Sequence, residues 1–291
     1  GKHLITSKIE HSTVLKTCQA LEKEGYEVTY IDVTERGVID LEQLKNAIRN
    51  DTVATSVMYV NNETGVVQPI DEIAKMIEGK GIVLHTDAIQ GVGKEMILPK
   101  KQGIHALSAA AHKFYGPKGT GFLYLDQNYM IEKEITGGSQ ERNRRSGTEN
   151  VHGIVGMAKA LEIVYSDMEE EQAKEKEMQI YLEEALKEEI CNIKINCGNS
   201  RRISSVVNIT LEDCNVQTLM VALDMEGICV SGGSACMSGA METSHVLKAM
   251  GASEEDLKSS IRVSIGRYNT KDEIDIFIQK LKEIVARERA K

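Results

Sequence analysis

The feature that most restricts the fold is a regular exchange, through the first half of the chain, between short apolar or β-branched runs and stretches of helical periodicity. Candidate strands occupy residues 4–6, 27–31, 53–60, 82–86, 104–109 and 121–125, with helical repeats at 13–23 and 41–49. Asp40 and Gln43 have the spacing of a capping box at the start of the second repeat. Strand–helix alternation of this kind predicts a mostly parallel sheet covered by helices. In such sheets the ligand crevice opens at the carboxyl ends of the strands, so the residues just after each run are the ones to inspect.

The second half has another rhythm. Residues 149–189 read as one long helical region, with Glu169, Glu170 and Glu171 as a solvated acidic face. Beyond it lie expected strands at 206–211, 228–230 and 261–265, and expected helices at 216–226, 244–250 and 270–287. Thr270 and Glu273 form the capping box of the last of these. The pattern predicts a large domain over residues 1–165 and a smaller α+β domain over 166–291. A Gly/Ser-rich loop at 231–239 lies in the second.

At 291 residues the chain can bury one large core or two moderate ones. A net charge of −9 argues against nucleic acid as a partner. No run of about 18 apolar residues is present, so no membrane span is expected. Six cysteines without a CxxC pair fit a reducing cytoplasmic setting better than a disulfide framework or a zinc site. Cys18, Cys214 and Cys229 fall in apolar-periodic runs, where packing is the expected role. Cys236 instead sits in the loop with Gly232, Gly233 and Gly239, which lets the backbone approach a ligand closely.

Three of the strand ends carry polar groups. Residues 53–60 run into Asn61-Asn62-Glu63, residues 82–86 into Asp87-Ala88-Ile89-Gln90, and residues 104–111 into His112-Lys113. A lone Asp or Lys after a strand is ordinarily a turn residue. The two together in one crevice are more specific. A partly desolvated lysine can attack an aldehyde, and a carboxylate can keep a pyridine nitrogen protonated so that the ring acts as an electron sink.

These segments resemble the cysteine desulfurases of the pyridoxal-phosphate-dependent transferases of fold type I. The resemblance rests on Ile9-Glu10-His11, Val60-Asn61-Asn62-Glu63, His85-Thr86-Asp87-Ala88-Ile89-Gln90 and the run from Ala111 to Gly119. It continues through Gly137-Gly138-Ser139-Gln140-Glu141-Arg142, Arg145-Ser146-Gly147-Thr148-Glu149-Asn150, Ser231-Gly232-Gly233-Ser234-Ala235-Cys236 and the run from Ser260 to Arg267. The resemblance implies that Lys113 forms the Schiff base with pyridoxal 5'-phosphate and moves the substrate Cα proton. It implies that Asp87 pairs with the pyridinium nitrogen, that His11 stacks on the ring and that Gln90 bonds the phenolic oxygen. His112 is implied as a phosphate ligand, and Asn62 and Arg262 as holders of the L-cysteine carboxylate. Thr148 is implied to reach the neighbouring subunit's phosphate in a homodimer. Cys236 is implied to accept sulfur as a persulfide, for delivery to an acceptor such as an iron–sulfur scaffold.

Two departures accompany the resemblance. The chain begins at Gly1 rather than Met, as expected of a processed, tagged or partial chain. Full-length relatives carry a preceding segment with a Gly/Thr loop on the cofactor phosphate. Ala110 also stands where relatives have a hydroxyl residue three positions before the lysine. A hydrogen bond to a charged group, lost there, is worth roughly 1.5–3 kcal/mol. Selenocysteine lyase, or another enzyme of the same pyridoxal-phosphate group, is one alternative reading. A catalytically inactive chain that keeps the fold is another.

Overall fold

A computed structural model of the chain describes residues 1–233 and 243–290. The expected strand at 27–31 is β2 (Glu27–Ile31). It lies beside β1 (His3–Ser7), and α1 (Ser12–Lys23) connects the two. After α2 (Leu41–Ala47) come β3 (Thr52–Ser56), α3 (Ile70–Ile77), β4 (Val83–Asp87), β5 (Ala106–Ala110) and β6 (Gly121–Leu125). The sheet order is β2-β1-β3-β4-β5-β6, with every pairing parallel except β5 with β6. The expectation of a mostly parallel sheet is met.

The registers decide what each face carries. Leu4, Ala54 and Val83 align across three strands, Ser56, His85 and Ala106 align two residues further along, and Asp87 pairs with Ser108, all on the same face. The opposite face presents Ile5, Leu84, Leu107 and Ala109 to the first hydrophobic core. There α2, α3 and α5 (Val151–Ser166) pack through residues such as Leu44, Ile73 and Val164. On the Asp87 face, α1 contributes Val14, Cys18 and Leu21 to the wall of a cavity of about 330 Å³.

The expected single helix over 149–189 is two helices. Asp167 closes α5 and precedes α6 (Met168–Glu189). The break separates two packing duties. Val164 joins the first core, whereas Met178, Leu182 and Leu186 join a second core. Ahead of α5, a one-turn α4 (Gln140–Asn143) holds Glu141 and Arg142 at positive φ. Glu171 is not part of a solvated face, because it forms an ion pair with Arg267 and is mostly buried.

The second core surrounds an antiparallel sheet of β7 (Ile193–Asn196), β8 (Val206–Leu211) and β9 (Ser260–Ser264), in that order. It is covered by α6, α7 (Val216–Met225) and α10 (Lys271–Arg289). The short α8 (His245–Ala249) and α9 (Glu254–Lys258) complete the set. Thr270 and Glu273 make both bonds of the expected capping box. Asp40 caps α2 by accepting from the Gln43 N–H, but the Gln43 side chain turns to Asp32 instead of closing the box.

Three further expectations are corrected. Residues 228–230 form no strand: Gly227, at φ +78°, turns the chain, the Ile228 N–H returns to the Leu223 carbonyl, and among the described residues the segment's one β-bridge is at Ser231, to Arg262. Cys229 is exposed rather than packed, because Ile228 and Val230 on either side of it turn to the second core. The regular β3 ladder stops at Ser56, although the Val57 and Tyr59 N–H groups still donate to the His85 and Asp87 carbonyls. Strand β7 adds to the expected strands. Its four residues are too few to show a period.

Candidate active site

Four adjacent parallel strands, β1, β3, β4 and β5, end at one edge of the large sheet. With about 4.8 Å between neighbours, those ends span roughly 15 Å. Each end delivers residues singled out in the sequence. His11 follows β1 and caps α1, its Nδ1 accepting from the Thr13 N–H at 3.2 Å. Asn62 follows β3, Asp87 is the last residue of β4, and His112 and Lys113 lie in a single 3₁₀ turn (Ala111–Lys113) after β5.

The turn carrying Lys113 is shaped by its neighbours rather than by burial, since His112 and Lys113 are both exposed. The Ala111 N–H donates to the Thr120 carbonyl at 3.0 Å, and the Gly116 N–H returns to the Ala111 carbonyl at 2.8 Å. A Cβ on Gly116 would meet the Ala111 Cβ at 2.9 Å, so glycine is needed there. Tyr115, at φ +65°, accepts the Arg267 N–H on its hydroxyl at 3.0 Å, which ties this loop to the segment after β9.

Asp87 is buried, and its Oδ1 accepts the Ile89 N–H at 3.0 Å. It lines the 330 Å³ cavity together with His85, Ser56 and Ser108. The His85 ring bridges the two serines, at 2.8 Å from Ser56 Oγ and 2.9 Å from Ser108 Oγ. Burial lowers the His85 pKa, against an opposing pull from Asp87. A neutral ring is therefore favoured beneath the carboxylate.

Asn62 and Arg262 meet although 200 residues separate them: Arg262 Nη1 donates to the Asn62 carbonyl at 2.8 Å. Gln90 is half-buried just beyond Asp87, and Thr148 is exposed ahead of α5. Cys236 lies outside the described residues. Within the chain the structure thus gathers His11, Asn62, Asp87, Lys113 and Arg262 at one edge.

Two buried carboxylates join them without having been given a role from the sequence. Glu10 Oε1 accepts from Ser7 Oγ at 2.6 Å and from the Met58 N–H at 2.9 Å. Glu63 holds Ser244. Both lie in motifs that carry the family resemblance, but only burial distinguishes them from surface glutamates.

Burial, and then the nearby Asp87, push the Glu10 pKa up to about 8, against the pull of its two hydrogen bonds. An unfolded glutamate titrates near 4.5. The stability due to this group is therefore full below about pH 4.5 and is lost as pH rises through 8. The loss approaches ~5 kcal/mol at 1.36 kcal/mol per unit. Glu10→Gln keeps an acceptor for Ser7 and Met58 without the titration. Urea unfolding at pH 5, 6.5 and 8 is expected to show the variant gaining on the wild type at each step; parallel curves would refute a buried, protonated Glu10.

The pattern of the family described as Aminotransferase class-V matches residues 1–277. The chain belongs to that family. Among curated relatives of this family member, "Cysteine desulfurase IscS" of Clostridium botulinum is 43% identical over 291 residues, covering 99% of this chain and 73% of the relative. A solved NifS-like protein superposes with a TM-score of 0.91 at 34% identity, over 98% of this chain and 75% of that one. A structure described as SspA in complex with cysteine gives a TM-score of 0.80 at 35% identity, over 92% and 75%. The fold-type-I architecture is thereby established. Families of this kind depend on pyridoxal phosphate.

Proposed function

We propose that the protein is a cysteine desulfurase, releasing L-alanine from L-cysteine and leaving the sulfur as a persulfide on Cys236. The observation that carries this reading is the convergence of His11, Asn62, Asp87 and Lys113 on one sheet edge, with Arg262 brought across from β9 to Asn62. The cysteine named in the description of the SspA structure accords with it.

The residues present fit the pyridine ring of pyridoxal phosphate. Asp87 is a carboxylate held at a strand end beside open volume, as a protonated ring nitrogen requires. When bound, the cofactor supplies an electron sink that acidifies the substrate Cα proton and polarises its Cβ–S bond. Lys113 would anchor the cofactor and carry the Cα proton, and His11 would lie against the ring. Gln90 would bond its phenolic oxygen, and His112 its phosphate. Asn62 and the planar guanidinium of Arg262 would orient the substrate carboxylate. The Cys236 thiolate would attack the substrate sulfur. An S–S bond forms, the Cβ–S bond breaks, and the electron pair left on Cβ takes a proton to give alanine. A thiolate is required, because the neutral thiol is a weak nucleophile.

On the same reading Thr148, exposed within this chain, serves a partner subunit's site in a homodimer. The persulfide passes to an acceptor such as an iron–sulfur scaffold. The two cores are separate domains meeting near residue 165, and the enzyme works in a reducing cytoplasm. No helix among the described residues is long and apolar enough to cross a membrane.

The test is purified protein with pyridoxal phosphate and L-cysteine, followed by visible absorption and an alanine assay. A visible band that shifts on adding cysteine, with alanine released in step, is the expected result. A folded protein giving neither would refute the reading.

A further inference from the structure

Glu63 holds no role in the proposed chemistry, yet its surroundings are unusual. It is 1% exposed and lies one residue after Asn62. Ser244 Oγ donates to its Oε2 at 2.5 Å across 181 residues, while Oε1 meets no partner among the described residues. The same Ser244 Oγ accepts the Leu247 N–H at 3.0 Å, so one hydroxyl both caps α8 and binds the carboxylate. Asn208 Nδ2 donates to the Glu63 carbonyl at 3.2 Å, fixing the backbone from the β8 side.

Ser244 is also where the chain returns from the segment that contains Cys236, and the outgoing side is equally tied. Ser231 and Arg262 exchange backbone bonds at 3.2 and 2.6 Å. A Cβ added at Gly233 would lie 3.4 Å from the Ser244 Cβ, so the two stems run close together. His245 Nε2 lies 2.9 Å from the carbonyl of Glu10, the residue before His11. Both stems of the cysteine-bearing segment are thus fastened to neighbours of the proposed ring-stacking and carboxylate-binding residues.

We propose that Glu63 is a positioning residue whose buried carboxylate holds Ser244, and with it the downstream stem of the Cys236 segment, in register with the Asn62–Arg262 pair. A serine cap on α8 needs only the hydroxyl's lone pair. It does not need a buried carboxylate, which is costly to desolvate. Burial raises the Glu63 pKa, and the Ser244 bond with the nearby charges of His245, Arg262 and His11 offsets part of that cost. The arrangement makes thiol delivery depend on the turn that grips the substrate.

The proposal deepens the desulfurase reading, but two of its three tests need no turnover. In the holoenzyme, Glu63→Ala is expected to raise amide exchange at Leu247 by about tenfold or more, the scale of a lost hydrogen bond to a charged group. Iodoacetamide alkylation of Cys236, resolved by peptide mass against exposed Cys229, is expected to change by a similar factor while Cys229 keeps its rate. In turnover, kcat falls by about tenfold or more with KM for L-cysteine little changed, as misplacement of one reacting group predicts. Glu63→Gln, which still accepts from Ser244, restores all three; Ser244→Ala repeats the alkylation and kcat changes.

A folded Glu63→Ala protein with unaltered exchange and alkylation overturns the proposal. So does a Gln variant as impaired as the Ala variant, or kcat and KM moving together. A wild type that releases no alanine would sink the desulfurase reading alone, since the exchange and alkylation results stand without it.

Discussion

Replacing Lys113 by alanine is expected to lower alanine release from L-cysteine by roughly 10²–10⁴-fold, the range for loss of a positioned proton-transfer group. The visible band of the bound cofactor should be lost or displaced with it, because the anchoring amine is gone. The fold should survive: Lys113 is exposed, and the turn around it is held by Ala111, Gly116 and Thr120 through backbone bonds that the substitution leaves in place. The decisive control is added ethylamine, a small primary amine that can enter where the side chain was. Partial recovery of turnover would identify the missing group as chemical. Near-normal turnover in the variant would remove Lys113 from the mechanism.

Cys236→Ser carries an expected effect of similar size at a different step. The serine hydroxyl is far harder to ionise than a thiol and a poorer nucleophile toward sulfur, so persulfide on residue 236 should be absent. Alanine release should fall by at least about 10²-fold. The change in visible absorption on adding L-cysteine should remain, since Asn62, Arg262, Asp87 and Lys113 are untouched. Persulfide is read by mass spectrometry of the peptide, and the absorption change by rapid mixing. Alanine release that persists without the thiol would instead favour the lyase alternative, in which no enzyme persulfide is formed.

Much of the large sheet was legible because each strand is short, rich in apolar or β-branched residues, and followed by a break in that pattern. The Asp87 and Lys113 positions declared themselves by residue type at the point where parallel sheets place ligands. What escaped notice depended on distant partners. Glu10 and Glu63 differ from solvated glutamates through burial and through the distant partners Met58 and Ser244, and nothing local announces either of those contacts. The neutral His85 bridge likewise needs serines from two other strands. The long helical stretch misled for a related reason: periodicity runs across Asp167 almost unbroken, and only the division of the packing between two cores reveals the break. Residues 228–230 have strand composition, but among the described residues the bridge to Arg262 forms only at Ser231, just beyond them.

Four adjacent strands ending at one edge have a consequence for how this architecture tolerates change. The turns that lead into those strands at the far side of the sheet, such as residues 48–51 and 98–105, can lengthen or shorten without displacing a reacting group. The strands themselves have no such latitude. One residue inserted within Val83–Asp87 would turn its last carboxylate to the opposite face, among Leu84, Leu107 and the helices of the first core. Variation in chain length is thus absorbed by the connections, while strand parity keeps the chemistry on its side of the sheet.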